Sequence, residues 1–148
     1  MFNRILVCLD GSEIAEQVMP YVVELAERFV SQVLLLNVYC IEKEAHEVQP
    51  ITYAGEEEAK AYLNKKAESL MERAIKVECD TVQASCVPGS TKEIGDAILN
   101  YAQIHEVDII AIATHGRSGW RRVVFGSVAE FVLENSSRPL LVVRPRES

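Results

Sequence analysis

The sequence is poor in the residues that mark redox and metal chemistry. Its four cysteines, Cys8, Cys40, Cys79 and Cys86, include no C-x-x-C pair, so a zinc knuckle or a dithiol redox motif is disfavoured. Cys8 sits in an apolar, strand-like run, and reduced thiols used as packing are the expectation. Long hydrophobic runs are also missing. "VDIIAIA" and "PLLVV" fall far short of the ~20 residues a membrane helix needs, and Asp10 interrupts any reading of the N-terminus as a signal peptide. The chain is therefore expected to be soluble and cytoplasmic, with no membrane partner. Excess positive charge is absent as well. A formal net charge of −7 argues against nonspecific binding to nucleic acid, so any anionic ligand must meet a local patch. Two phosphate motifs are lacking: no G-x-x-x-x-G-K-[ST] occurs, and no G-x-G-x-x-G follows the first strand-like run. There is no repeat, linker or low-complexity tract.

What is present reads as one ordinary globular domain over residues 1–148, with 49% hydrophobic and 25% charged residues. The hydrophobic period changes in a regular order along it. "RILVCL" at 4–9 is a short apolar run of the kind buried on both faces of a parallel sheet. Ser12 is placed as the N-cap of a following helix, with Glu13 in its first turn and Ile14, Val18, Val22, Leu25, Ala26 and Phe29 at helical spacing. Pro20 falls inside that pattern and is expected to bend it. "VLLLNVY" at 33–39 predicts a second strand, and residues 56–75 predict a helix with Ala59, Tyr62, Leu63, Ala67, Leu70, Met71 and Ala74 on one face. A third strand is expected at 80–87. Ser90 and Glu93 have capping-box spacing before another amphipathic helix, and "VDIIAIA" is the fourth strand. Ser127 and Glu130 repeat the capping-box spacing, and "LLVVR" at 140–144 closes the chain as a fifth strand. Strands alternating with helices imply a parallel sheet with helices on both faces, joined by right-handed crossovers.

Ligands of such sheets bind at the carboxyl ends of the strands, near the point where strand order reverses. Of the strand-to-helix turns, "THGRSGWRRVVFGS" at 114–127 combines three glycines, three arginines and no acid. Gly116 and Gly119 let the backbone turn and approach a ligand. Gly126 and Ser127 set free amides and a hydroxyl at a helix N-terminus, where the dipole favours an anion such as phosphate. Arg117, Arg121 and Arg122 make the stretch locally cationic; solvated or acid-paired arginines are the bland alternative.

The residues reached so far resemble the universal stress protein family, across the whole chain: "CLDGSE" after the first strand, "NVY" closing the second, "ATHGRSGWRRVVFGSVAEFVL" after the fourth and "RPLLVV" at the end. The family's nucleotide motif is Gly, two residues, Gly, nine residues, Gly, then Ser or Thr. Gly116, Gly126 and Ser127 keep its spacing, whereas Ala113 stands at the first glycine. The resemblance implies a five-stranded Rossmann-like α/β/α sandwich with strand order 3-2-1-4-5 and an adenine-nucleotide site, ATP with or without Mg²⁺. It places Asp10 at the ribose, Val38 at the position whose backbone reads the adenine edge, and Gly116, Gly126 and Ser127 at the phosphates, with Arg117 and Val128 nearby. It also implies a homodimer through residues 140–144.

Several alternatives stay open at this level. Asp10 either contacts a ribose or caps a turn, and His115, beside a glycine turn, is either a hydrogen-bonding structural residue or a catalyst. The chain reads as a nucleotide-responsive stress module, against two rivals: a slow ATPase or phosphotransferase, and an interaction module without nucleotide, which the alanine at 113 favours. Residues 40–55, too long for an ordinary connection, are expected to cover the site.

Overall fold

The computed structural model describes residues 1–41, 56–85, 92–114 and 127–146. Its elements run β1 (Arg4–Cys8), α1 (Glu13–Glu16), α2 (Met19–Phe29), β2 (Gln32–Ile41), α3 (Glu56–Met71), β3 (Lys76–Ser85), α4 (Lys92–Ile104), β4 (Ile109–Ala113), α5 (Ser127–Asn135) and β5 (Leu140–Val143). The strands form one five-stranded sheet in the order β3-β2-β1-β4-β5, and every pairing is parallel. This is the fold class and order expected.

Alternation along the strands sends side chains to two separate cores. Ile5, Val7, Leu9, Val33, Leu35, Ile109 and Ala111 meet Val18, Val22 and Ala26 of the α1–α2 segment and Leu63, Ala67 and Leu70 of α3. On the opposite face Leu6, Leu34, Leu36, Ile110 and Ile112 meet Ile98, Tyr101 and Ala102 of α4 and Ala129 and Val132 of α5. Connections from β1 and β2 thus cross one face, and those from β3 and β4 the other. The reversal falls between β1 and β4, the central neighbours from which the chain winds outward in both directions.

Several elements differ from the sequence-based expectation. The helix expected over 56–75 ends at Met71, which is exposed and not on the buried face, and Ala74 lies beyond it at φ 61°, where the helical pattern can no longer continue; β4 begins at Ile109, two residues after the expected start. The first helix is broken rather than bent, because Pro20 brings no amide and its ring collides with the carbonyl one turn earlier; α1 stops at Glu16 and Pro20 stands in the first turn of α2, where a proline is tolerated. β3 begins at Lys76, four residues before the expected start at 80. Its leading stretch alternates Lys76, Glu78 and Asp80 with Val77 and Cys79, which pack on the α3 side. Such charged alternation suits a strand at the sheet edge. α5 begins at Ser127 itself, not after it. Residues 86 and 87 of the expected third strand, and Ser90 of the expected capping box, lie outside the described residues.

α4 and α5 touch through Gly95. A Cβ built there would come within 2.1 Å of Phe131 Cδ1 and 2.8 Å of Cε1, so the missing side chain is what seats the Phe131 ring. We expect Gly95→Ala to lower the unfolding free energy in urea by about 1–2 kcal/mol, overpacking outweighing the gain in helix propensity. An unchanged or raised midpoint would mean that the ring yields freely.

Candidate functional site

The strand ends separate around β1. Its ladder with β4 runs from Ile5↔Ile109 to Val7↔Ala111, and that with β2 ends at Cys8↔Leu36. Beyond this, Leu9 still donates its amide to Leu36 O at 3.0 Å. Gly11 then takes φ 87°, a left-handed turn that glycine adopts without a Cβ clash and that carries the chain out of the sheet. Asp10 Oδ1 fixes the turn by accepting from Ser12 N at 2.8 Å and from Ser12 Oγ at 2.5 Å. Ser12 Oγ in turn accepts from Ala15 N at 3.1 Å, the N-cap of α1 expected from sequence. Asp10 is therefore a turn-capping acid, partly exposed, with Oδ2 free of any bond from a described residue. Capping and sugar binding are compatible, since they use different oxygens.

In a parallel ladder a residue donates to one partner residue and accepts from the second residue beyond it. Leu9 donates to Leu36, so the regular donor to Leu9 O would be the Val38 amide. The donor is instead the Asn37 side chain, whose Nδ2 reaches Leu9 O at 2.8 Å. Gly11, which would pair with the Val38 carbonyl, has already turned away. Val38 therefore presents its amide and carbonyl to the notch that β1 leaves, while its side chain packs into the α4–α5 core. An adjacent donor and acceptor on an open strand edge is what a heterocyclic base can pair with.

On the other side of β1, Ala113 is the last residue of β4, paired with Val143 and 7% exposed. It is not among the positive-φ residues, which outside glycine and among the described residues are Val30, Ala74 and Glu106. Alanine is unstrained there, and any demand for glycine at this position is a demand for room. Thr114 follows, buried, its amide on Val143 O at 3.0 Å and its Oγ1 without a partner among the described residues. Ser127 is exposed at the start of α5, and the Val128 side chain packs against the core; the Val128 amide is among the first-turn amides at the helix N-terminus that have no intrahelical partner. α5 runs antiparallel to the strands, so this N-terminus lies at their carboxyl end. His115, Gly116, Arg117, Gly119 and Gly126 lie outside the described residues, as do residues 42–55 of the expected cover.

Cys8 ends β1 beside this notch. Burial pushes its thiol up to about 12, which leaves it protonated and unreactive at neutral pH. Asn37 and Thr114, buried polar residues at the same strand ends, carried no assigned role in the sequence reading. The signal for Asn37 was an amide interrupting the apolar run "VLLLNVY".

These features define a doubly wound, Rossmann-like α/β domain with a polar notch at its switch point. The family model of the universal stress protein family matches residues 1–144, and the chain belongs to that family. A universal stress protein of Methanocaldococcus jannaschii is 31% identical, over 100% of this chain and 98% of its own length. Among solved structures, universal stress protein UspA from Lactobacillus plantarum has the same fold, with a TM-score of 0.78, 21% identity and coverage of 97% and 98% of the two chains. A universal stress protein in complex with cAMP superimposes with a TM-score of 0.68 at 19% identity, over 97% of each chain. The protein of Archaeoglobus fulgidus in complex with dAMP gives 0.64 at 21%, over 96% of this chain and 98% of that one.

The Asp10–Ser12 turn yields a stability test. Ser12→Ala removes both the cap on Ala15 N and the hydroxyl held by Asp10, and we expect a loss of about 1 kcal/mol in thermal or urea unfolding. An unaltered transition would show that the turn holds without the hydroxyl.

Proposed function

We propose that the chain binds ATP, with or without Mg²⁺, at the carboxyl ends of β2, β1 and β4, and serves as a cytoplasmic, homodimeric, nucleotide-responsive stress module. The observation that carries this reading is the notch itself. Asp10, a carboxylate whose Oδ2 has no partner among the described residues, follows β1 where the main-chain edge of Val38 on β2 is also open among those residues, next to the switch point of the sheet. Asp10 would hold the ribose hydroxyls and Val38 the adenine. Gly116, Gly119, Gly126, Ser127 and the Val128 amide would cradle the phosphates, with Arg117 supplying charge and His115 a hydrogen bond. The two family structures that hold cAMP and dAMP support an adenine nucleotide as the ligand class.

The alternative of a nucleotide-free interaction module is favoured by a single feature, the methyl of Ala113 where the family motif has glycine. Calorimetric titration with ATP separates the two. We expect the parent to bind, Ala113→Gly to change affinity less than about tenfold, or roughly 1.4 kcal/mol, and Ala113→Leu and Gly126→Val to lose binding while remaining folded. A parent that ignores millimolar ATP while Ala113→Gly binds it would overturn the reading.

Sheet order supports the dimer. β5 pairs with β4 on one side and stands at the edge of the sheet, where unpaired backbone groups invite a second strand. Light scattering at about 50 μM, a concentration at which an interface of modest size is populated, should give a dimer through residues 140–144. A monomer would remove that part of the proposal.

A further inference from the structure

We infer that Asn37 is a positioning residue that sets base specificity by keeping the Val38 amide out of the β1–β2 ladder. The inference rests on the reading of the notch as an adenine site. The Asn37 side chain is buried, 3% exposed, with Nδ2 on Leu9 O and Oδ1 without a partner among the described residues. A buried orphan oxygen is uncommon and calls for a cause. Reversing the amide would not remove it, because an oxygen would then face the Leu9 carbonyl and Leu9 O would lose its donor. The arrangement instead spends the Asn37 donor on Leu9 O.

The consequence lies one residue on. Asn37 Nδ2 takes the place at Leu9 O that the Val38 amide would fill, the Val38 amide makes no bond to Leu9 O, and the Val38 carbonyl, on the same side of the strand, faces the same notch. Leu36, two residues earlier, points the same way but lies within the β1 ladder. Asn37 and Tyr39 point their main-chain groups the other way, toward Val82-bearing β3, which pairs with β2 as far as Ile41↔Ser85. Val38 is thus the position in this stretch where a strand edge is kept open from within.

An edge that offers N–H beside C=O matches a base with an acceptor beside a donor. Adenine presents N1 as acceptor next to its N6 amine as donor. Hypoxanthine and guanine present N1–H and O6, the reverse, and would set donor against donor and acceptor against acceptor. An apolar residue at 37 would leave Leu9 O unsatisfied. The nearest donor is then the Val38 amide, and taking it would extend the ladder by one bond and erase half of the adenine-reading pair.

Amide exchange followed by NMR on the unliganded full-length chain tests this without any nucleotide. In the parent the Val38 amide should exchange at least about tenfold faster than those of Leu36, Asn37 and Tyr39, and in Asn37→Leu it should slow to their rates. Asn37→His, which keeps a ring N–H donor, should restore the parent pattern. A Val38 amide as protected as its neighbours in the parent overturns the inference, and this parent measurement stands even if Asn37→Leu does not fold. The second arm uses ATP and ITP. The parent should prefer ATP, and Asn37→Leu should bind ATP at least about tenfold more weakly while its ATP-to-ITP ratio falls toward one. Equal weakening for both nucleotides would assign Asn37 a merely structural role. If the parent binds neither nucleotide, the adenine reading fails, and base specificity falls with it; fast Val38 exchange would still show that Asn37 holds the edge open.

Discussion

The chain must leave the sheet after β1 at a point where its neighbours on both sides continue, and the carboxyl end of the molecule is organised around that departure. A central parallel strand is hydrogen-bonded along both edges, so its exit strands main-chain groups on both flanks. The β4 side separates after Val7 and the β2 side after Cys8. Four residues then manage the consequences. Leu9 keeps one last ladder bond through its amide, Asn37 takes its carbonyl, Gly11 turns at positive φ, and Asp10 ties the turn to Ser12. None of these is a ligand contact in itself. Together they decide which groups remain uncommitted, and those groups are what a ligand would meet.

The two cores explain why so small a set of polar residues can be held so definitely. Both faces of the sheet are covered, and from Ile5, Val33 and Ile109 onward the side chains of β1, β2 and β4 alternate between them without a polar interruption until Asn37 and Thr114. A one-residue slip of any central strand would exchange the two apolar sets and bury the wrong partners, so register is strongly fixed. α1 and α3 are joined over one face by Glu16, whose Oε1 takes both Tyr62 Oη–H at 2.7 Å and Lys66 Nζ at 2.8 Å. α4 and α5 approach closely on the other through Gly95. The polar contacts of the strand ends thus stand on packed apolar layers.

Much of this architecture was legible in the residues, because strand burial and helix amphipathicity leave periodic traces. The strand order came from resemblance, and the pairings agree with it. Boundaries were less legible where the chemistry of an element departs from its usual marks. α2, α3 and α4 end beside left-handed residues that are not glycine, Val30, Ala74 and Glu106; each turn is closed instead by a backbone bond from the next residue to a carbonyl of the last helical turn, such as Ser31 N to Ala26 O. The charges of β3 disguised its first residues because an edge strand faces water. Val38 could not be singled out by its side chain, since what distinguishes it is the absence, among the described residues, of a main-chain bond toward β1. That absence depends on Asn37, 28 positions from Leu9 in chain order, and only pairing register brings the two together.

The polar groups at the strand ends share a pattern that bears on how a ligand would be held. Asp10 commits Oδ1 to Ser12 and keeps Oδ2; Asn37 commits Nδ2 to Leu9 and keeps Oδ1; Thr114 commits its amide to Val143 and keeps Oγ1. In Asp10 and Asn37 one side-chain atom fixes the orientation and another is left without a described partner, and in Thr114 the anchored main chain carries a hydroxyl without one. A side chain already fixed loses little rotamer freedom when a ligand arrives, so the entropic cost of association falls mainly on the ligand. The uncommitted atoms differ in chemistry: two are acceptors only, and the threonine hydroxyl both donates and accepts. Acceptors of this kind suit sugar hydroxyls and exocyclic amines and repel phosphate, whose charge must be met elsewhere. In the proposed reading the glycines and arginines of 116–126 and the amides at the start of α5 would supply the opposite chemistry, with the nucleoside at the departure of β1 and its phosphates toward α5.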